Sequence, residues 1–182
     1  MLQKKILRKK ILKIRKLKYN NKLIINLSNI FRILKKHKIK KPSFGGYIDV
    51  NYEINCVEIL KKLERKNFKI SLPIIKNKNQ MNFAKWSFKN PLVLNSFGIP
   101  EPKNNNFILP NVLLVPLVAF DKNRYRIGYG GGYYDRYIQK IKKKKKKTLT
   151  IGFAFSFQEI NKVPINKYDM QLDYIITEKQ II

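Results

Sequence analysis

Histidine and cysteine occur once each in this chain of 182 residues, as His37 and Cys56. A single cysteine excludes an internal disulfide framework and a cysteine-based zinc site. Cys56 falls in an apolar helical pattern and reads as buried filler. His37 stands in Lys35-Lys-His-Lys-Ile-Lys-Lys41, where flanking cations make it a poor base or metal ligand, so it reads as an exposed helix end. Histidine-dependent catalysis is thereby disfavoured. Long apolar runs are also missing: none approaches the roughly 20 residues needed to cross a bilayer, and no apolar stretch follows the basic start as a secretory signal requires. The expectation is a soluble, cytoplasmic monomer with no membrane partner.

Acidic residues are scarce as well, 11 against 40 Lys and Arg, giving a net charge of +29. Such an excess invites a nucleic-acid reading. The surplus is nearly all lysine, however, spread along the chain and mixed with Asn and Ile, as AT-rich codon usage would produce. The aromatics are scattered rather than arranged as a stacking platform. No specific nucleic-acid partner is expected, although polyanion binding at low salt follows from charge alone. At 44% hydrophobic residues, the chain can bury a core and lies outside the disordered class. Its length suits one domain, residues 1–182.

Along the chain, Leu2 to Leu17 reads as a basic amphipathic helix, with Leu7, Ile11 and Ile14 on one stripe and Lys4 and Arg8 projecting together. A solvated helix, an organelle-targeting peptide and a helix that carries cations to a site all fit, and composition alone favours the first. Leu23 to Leu34 is expected as a second helix, Pro42 to Gly46 as a turn, and Tyr47 to Tyr52 as a strand. Asn55 then caps a helix bearing Cys56, Val57, Ile59, Leu60 and Leu63. This puts Glu53 at a strand-to-helix junction, where sites of α/β sheets form; a charge favouring the helix N-terminus is the bland alternative. A short strand, Phe68 to Leu72, is expected to stop at Pro73. Met81 to Trp86 and Pro91 to Glu101 look irregular. Strands follow at Val112 to Phe120, Leu149 to Phe155 and Tyr174 to Thr177, with a solvated lysine run at Lys142 to Lys147. The alternation predicts an α/β fold with an open, mostly parallel sheet flanked by helices.

Between the apolar strand and a helix-like segment, Tyr133 to Ile141, lies Arg126-Ile-Gly-Tyr-Gly-Gly-Gly-Tyr-Tyr-Asp135. Glycines there let the backbone approach a ligand, and the following helix N-terminus favours an anion. Arg126 supplies a phosphate-type cation and Asp135 a magnesium-type ligand. A dinucleotide fingerprint starting at Gly128 would need glycine where Tyr133 stands, and no Gly-Lys-Ser/Thr triplet of a P-loop occurs. The loop is an anion cradle of another type, or a tight turn whose glycines serve geometry alone.

Pro116-Leu-Val-Ala-Phe-Asp121 followed by Arg126-Ile-Gly-Tyr-Gly-Gly-Gly-Tyr-Tyr-Asp-Arg136 resembles the signature of the 5-formyltetrahydrofolate cyclo-ligase (methenyltetrahydrofolate synthetase) family. Lys4, Leu7-Arg8 and Arg15 resemble its basic N-terminus. Tyr47, Glu53, Leu72-Pro73, Met81, Phe83, Trp86, Asn95, Gly98-Ile99, Glu101-Pro102, Asp169-Met170 and Asp173 follow in matching order. The resemblance implies a single-domain enzyme that uses ATP and Mg2+ to convert 5-formyltetrahydrofolate to 5,10-methenyltetrahydrofolate, releasing ADP and phosphate.

By that resemblance Lys4 and Arg8 reach the nucleotide phosphates, reversing the solvated-helix reading. Arg126, Gly128, Gly130, Gly131, Gly132 and Tyr134 hold the transferred phosphoryl group, with Arg126 and Tyr134 at the reacting centre. Asp135 and Asp169 bind magnesium. Glu53 hydrogen-bonds the pterin, Ile48, Tyr129 and Tyr133 line the folate pocket, and Trp86 serves either that pocket or the core. An RNA-binding protein or a non-catalytic folate binder on the same scaffold are the alternatives. The chain departs from the family at Arg124, where glycine is usual, and Asn123 is expected to take the left-handed conformation instead. Asn111 and Asn55-Cys56 replace a common aspartate and an Asp-Thr pair.

Overall fold

The computed structural model describes residues 2–20, 22–76, 80–143 and 147–182. The middle of the Lys142 to Lys147 run therefore lies outside the described residues. Two N-terminal helices, α1 (Leu2–Lys18) and α2 (Leu27–Lys36), lead into strand β1 (Ser43–Gly45) and helix α3 (Cys56–Arg65). Strands β2 (Lys69–Lys76) and β3 (Gln80–Trp86) form a hairpin, followed by the short strands β4 (Leu92–Leu94), β5 (Pro100–Pro102) and β6 (Phe107–Ile108). Then come β7 (Val112–Pro116), β8 (Ala119–Phe120), β9 (Arg126–Ile127), α4 (Tyr133–Lys143), β10 (Leu149–Phe153) and β11 (Tyr174–Ile176).

The main sheet has seven strands in the order β11-β10-β7-β1-β2-β3-β6. The pairs β11–β10, β10–β7, β7–β1 and β1–β2 are parallel, and β2–β3 and β3–β6 are antiparallel. The mostly parallel open sheet expected from the sequence is thus present. From β1 the chain winds one way to β2, β3 and β6, then returns to place β7, β10 and β11 on the other side. The order reverses between β1 and β7, and the crevice beyond the carboxyl ends of such strands is where α/β sheets bind ligands.

Several local expectations need correction. The second helix starts at Leu27 rather than Leu23, because Asn26 takes an extended conformation and its side chain accepts the Ser28 N–H. The strand near residue 45 is Ser43–Gly45 and not Tyr47 to Tyr52: Asn51 and Tyr52 have φ of 50° and 62°, which no strand tolerates. Pro73 does not end β2. β1 accompanies β2 only as far as Ser71, so a residue without an N–H sits where one flank of the strand is open. Met81 to Trp86 is regular strand, paired residue for residue with β2, and β4 and β5 form a small hairpin within the stretch expected to be irregular.

The long apolar strand is also divided. β7 ends at Pro116, while β8 leaves the sheet to pair with β9. Side chains secure the break: Leu117 O accepts from Arg15 Nη1 at 3.0 Å and from Gln158 Nε2 at 3.2 Å, and Val118 O accepts from the same Gln158 nitrogen at 2.7 Å. The β8–β9 turn is arranged around Asp121, whose carboxylate accepts the N–H groups of Asn123, Tyr125 and Val163 at 3.0, 3.1 and 2.9 Å. Arg124, not Asn123, takes the left-handed conformation, with φ 62°. Its Nε donates to Leu172 O at 3.2 Å, and its own carbonyl accepts the Leu172 N–H at 3.2 Å. The side chain thus ties the turn to the C-terminal segment, which a glycine could not do.

The core has three parts. Phe44, Ile70, Leu72 and Leu114 meet α2 and α3 in one, and Phe83, Leu113, Val115, Phe120 and Ile138 form the second. The third places Ile11 of α1 with Val118, Ala119, Ile127 and Val163, so α1 sits on the ribbon that precedes the glycine loop. Cys56 is fully buried, as expected. Next to β1, a Cβ on Gly46 would stand 2.6–2.9 Å from three carbons of Leu60 in α3. Gly46→Ala should therefore destabilise the protein by about 1–3 kcal/mol through overpacking. Urea unfolding would show a lower midpoint at unchanged m; a midpoint equal to wild type would show that α3 yields freely.

Candidate active site

Lys4, Arg8, Ile11 and Arg15 recur at intervals of four, three and four residues, close to whole helical turns, and so share one face of α1. That face is turned inward: Ile11 packs on β8 and β9, and Arg15 is fully buried. Lys4 Nζ reaches Asp169 Oδ2 at 2.5 Å, and Arg8 Nε donates to Gly128 O at 2.7 Å. One helix thereby joins the glycine loop to the C-terminal segment.

The loop is tied across its base. Arg126, on β9, donates from Nη2 to Asp135 Oδ1 at 2.9 Å and from Nη1 to Met170 O at 2.7 Å. Met170 N–H returns to Asp135 Oδ1 at 3.0 Å. Burial lowers the Arg126 pKa from its ordinary value, opposed by the charges of Asp135 and Asp169; a guanidinium so placed stays protonated. Gly130 and Gly132 have φ of 108° and 66°, conformations that suit glycine. The Arg8 guanidinium would lie 3.5 Å from a Cβ on Gly130, so the cation and the loop backbone face the same space. The α4 N-terminus opens directly after the glycines and adds N–H groups and dipole suited to an anion.

Asp135 and Asp169 each use one oxygen for these bonds. Oδ1 of Asp135 serves Arg126 and Met170, and Oδ2 of Asp169 serves Lys4 and the Asn166 N–H. Among the described residues no cluster of three or more His, Cys, Asp or Glu could hold a metal alone. Magnesium commonly takes one or two carboxylates and completes its shell with water and phosphate oxygens. Two half-engaged carboxylates beside a phosphate cradle fit that requirement.

The residues expected to bind the folate come from the segment after β1, from the glycine loop itself and from β3. Glu53 lies in the segment between β1 and α3, 5% exposed, with Oε2 accepting the Val50 N–H at 3.0 Å. Its Oε1 is buried without a hydrogen-bond partner, as are Tyr134 Oη and Arg15 Nε. Buried polar atoms are nearly always satisfied, so three orphans in one region mark a place built to receive a ligand. Burial raises the Glu53 pKa to about 7, against the Val50 hydrogen bond and the Arg15 charge, which lower it. Burial also raises the Tyr134 pKa, keeping its hydroxyl protonated. Ile48 and Tyr133 are half-buried nearby in sequence to these groups. Tyr129 is exposed, but its hydroxyl accepts from Arg15 Nη2. Trp86 is buried on β3, its ring against Phe88 and its indole N–H on Asn90 O at 3.1 Å.

Sequence reasoning placed no site role on Arg15 or Phe97. Arg15 could have been found from its helical register with Lys4 and Arg8. Phe97, at the tip of the β4–β5 hairpin, lies edge-on to Tyr133 with ring centroids 6.1 Å apart; only the folded hairpin brings the two together.

Residues 1–178 match the profile of the 5-formyltetrahydrofolate cyclo-ligase family. A 5-formyltetrahydrofolate cyclo-ligase of Haemophilus influenzae is 33% identical over 133 residues, covering 69% of this chain and 70% of that protein. One of Escherichia coli K12 is 30% identical over 142 residues, covering 74% and 77%. The solved structure of Aquifex aeolicus 5,10-methenyltetrahydrofolate synthetase superposes with a TM-score of 0.72 at 30% identity, covering 100% of this chain and 92% of that one.

The raised Glu53 pKa makes a stability prediction. Between the ordinary value of 4.5 and about 7, the folded state binds more protons than the unfolded state, so stability falls as pH rises through this window. Glu53→Gln removes the titration. Relative to wild type it should gain on the order of 3 kcal/mol between pH 4.5 and pH 8. Denaturant titrations across that range that run parallel for both proteins would show that Glu53 does not titrate in the window.

Proposed function

The chain belongs to the 5-formyltetrahydrofolate cyclo-ligase family, and on that premise we propose that the Arg126–Asp135 loop is where the γ-phosphoryl group of ATP meets the formyl oxygen of 5-formyltetrahydrofolate. The observation that carries this reading is the convergence of Lys4, Arg8, Arg126, Asp135 and Asp169 around glycine backbone at a helix N-terminus.

The formamide oxygen of the substrate is a poor leaving group. Its attack on the γ-phosphorus of ATP expels ADP and leaves the oxygen phosphorylated. The neighbouring folate nitrogen then bonds to the activated carbon, phosphate departs with the C–O bond electrons, and the methenyl bridge closes. Phosphoryl transfer asks little covalent chemistry of a protein: catalysis is positioning and charge stabilisation. Lys4 and Arg8 bring cations over the nucleotide phosphates from α1. Arg126, held by Asp135 and the Met170 carbonyl, presents a fixed guanidinium at the moving phosphoryl group. Backbone N–H groups of the glycine loop and the start of α4 bind its oxygens. Tyr134, protonated and without a partner, is a donor for the formyl or phosphoryl oxygen. Magnesium bound by Asp135 and Asp169 would neutralise phosphate charge.

On the other side, Glu53 Oε1 is a buried acceptor suited to the N–H groups along a pterin edge. Its affinity for a proton near neutrality lets it accept as a carboxylate or donate as an acid. Ile48, Tyr129 and Tyr133 offer the apolar and aromatic wall a fused ring needs. Trp86, packed on Phe88, supports β3 rather than the ring.

With ATP, Mg2+ and 5-formyltetrahydrofolate, the purified protein should produce the methenyl absorbance, and folded protein giving no product above a no-enzyme control would end this reading. Arg126→Ala should lower kcat by at least about 100-fold, in line with loss of a charge-stabilising group. Asp135→Asn should do likewise while keeping the fold, and wild-type rates in both variants would remove the loop from the mechanism.

A further inference from the structure

Among the described residues Arg15 is the most completely buried charged side chain, with no exposed surface. A guanidinium in such a place is weak evidence of stabilisation, since an apolar side chain of similar volume often serves the fold equally well. Arg15 is moreover incompletely satisfied, because its Nε has no partner. Its other nitrogens point in two directions. Nη1 holds Leu117 O, where the chain leaves β7 at 3.0 Å, and Nη2 donates to the Tyr129 hydroxyl inside the glycine loop. The guanidinium carbon also lies 5.8 Å from the centre of the Tyr129 ring.

The Tyr129 hydroxyl accepts from Arg15, so its own proton is directed elsewhere. The Glu53 carboxylate interacts with the Tyr129 hydroxyl and with the Arg15 charge, and its Oε1 has no other partner. The Tyr129 hydroxyl, held by Arg15, thus stands beside the Glu53 carboxylate. Arg15 sits on the same face of α1 as Lys4 and Arg8, which engage Asp169 and Gly128. A shift of α1 at its phosphate end is transmitted along a continuous helix to Tyr129 and Glu53.

Resting on the function proposed above, we infer that Arg15 is a positioning residue that couples the two halves of the site. Through Tyr129 it links the nucleotide-binding end of α1 and the glycine loop to Glu53 on the folate side. Filling one half organises the other, so each ligand tightens binding of its partner by the same factor, as linkage requires. The coupling assigns roles to three features that phosphate binding alone leaves idle: a fully buried cation, an exposed tyrosine bonded to it, and an unpaired carboxylate oxygen.

Calorimetric titration of 5-formyltetrahydrofolate, with and without a non-hydrolysable ATP analogue and Mg2+, tests this directly. Wild type should bind the folate tighter by roughly five- to hundredfold when the analogue is present. In Arg15→Met, which keeps the volume, and in Tyr129→Phe, which keeps the ring, the factor should fall towards one, even where the affinity for folate alone changes. A merely structural Arg15 would weaken both ligands or lower Tm without changing that ratio. An unchanged ratio in Tyr129→Phe, or a ratio of one in wild type that binds both ligands, overturns the coupling and leaves the function reading intact. A wild type that is folded and binds neither ligand overturns both.

Discussion

The ion pair between Arg126 and Asp135 is the constraint on which the site depends. Arg126 is 6% exposed, and the pair closes at 2.9 Å. A cation so deeply buried cannot be left alone, because an uncompensated buried charge costs several kcal/mol. Asp135 lies in the first turn of α4, so pairing it with a residue of β9 fixes the distance between strand and helix. The glycines between them are thereby held as an arch rather than a free loop. The Met170 carbonyl and N–H clamp the same two side chains, bringing Asp169 into place beside them. Loop, helix N-terminus and C-terminal segment become one rigid object through a single buried charge.

That object is completed from the opposite end of the sequence. α1 rests on β8 and β9 through Ile11, and its helical repeat puts Lys4, Arg8 and Arg15 on that same inward face in succession. The location follows from topology: the segments after β1 and β7 diverge where the strand order reverses. Glu53 enters with the first and the glycine loop with the second. Glu53 and the glycine loop therefore come from different strands and lie together between them.

The parts of the chain readable from sequence were those dominated by local chemistry. The Asn55 cap accepts the Glu58 N–H as expected, and α1 and α4 carry apolar periodicities that no neighbour needs to override. The glycine loop stood out as a candidate anion cradle because glycine, a cation and a helix start are all local signals. A ligand for it could be named only from the ordered resemblance along the whole chain. The misread stretches depend on partners distant in sequence. Ser43 to Gly45 is too short to announce itself and is a strand because β2 and β7 flank it. Met81 to Trp86 has mixed polarity, yet seven residues of β2 pair with its strand. Pro73 is tolerated because β1 has already ended. Arg15 escaped because a cation on a lysine-rich helix looks solvated until the helix is seated.

The turn before the glycines shows how a departure from pattern is absorbed. A non-glycine residue with φ 62° carries a strain on the order of 1 kcal/mol or more. At Arg124 that strain is offset from two sides. The Asp121 carboxylate gathers three backbone N–H groups around the turn, making the tight conformation favourable whichever residue occupies it. The Arg124 side chain then reaches Leu172, two residues beyond the Met170 that clamps Arg126. A glycine would relax the backbone but release this second tether between turn and C-terminal segment. The substitution therefore exchanges conformational ease for a tether at the base of the loop, three residues along the chain from the Asp169 that Lys4 engages.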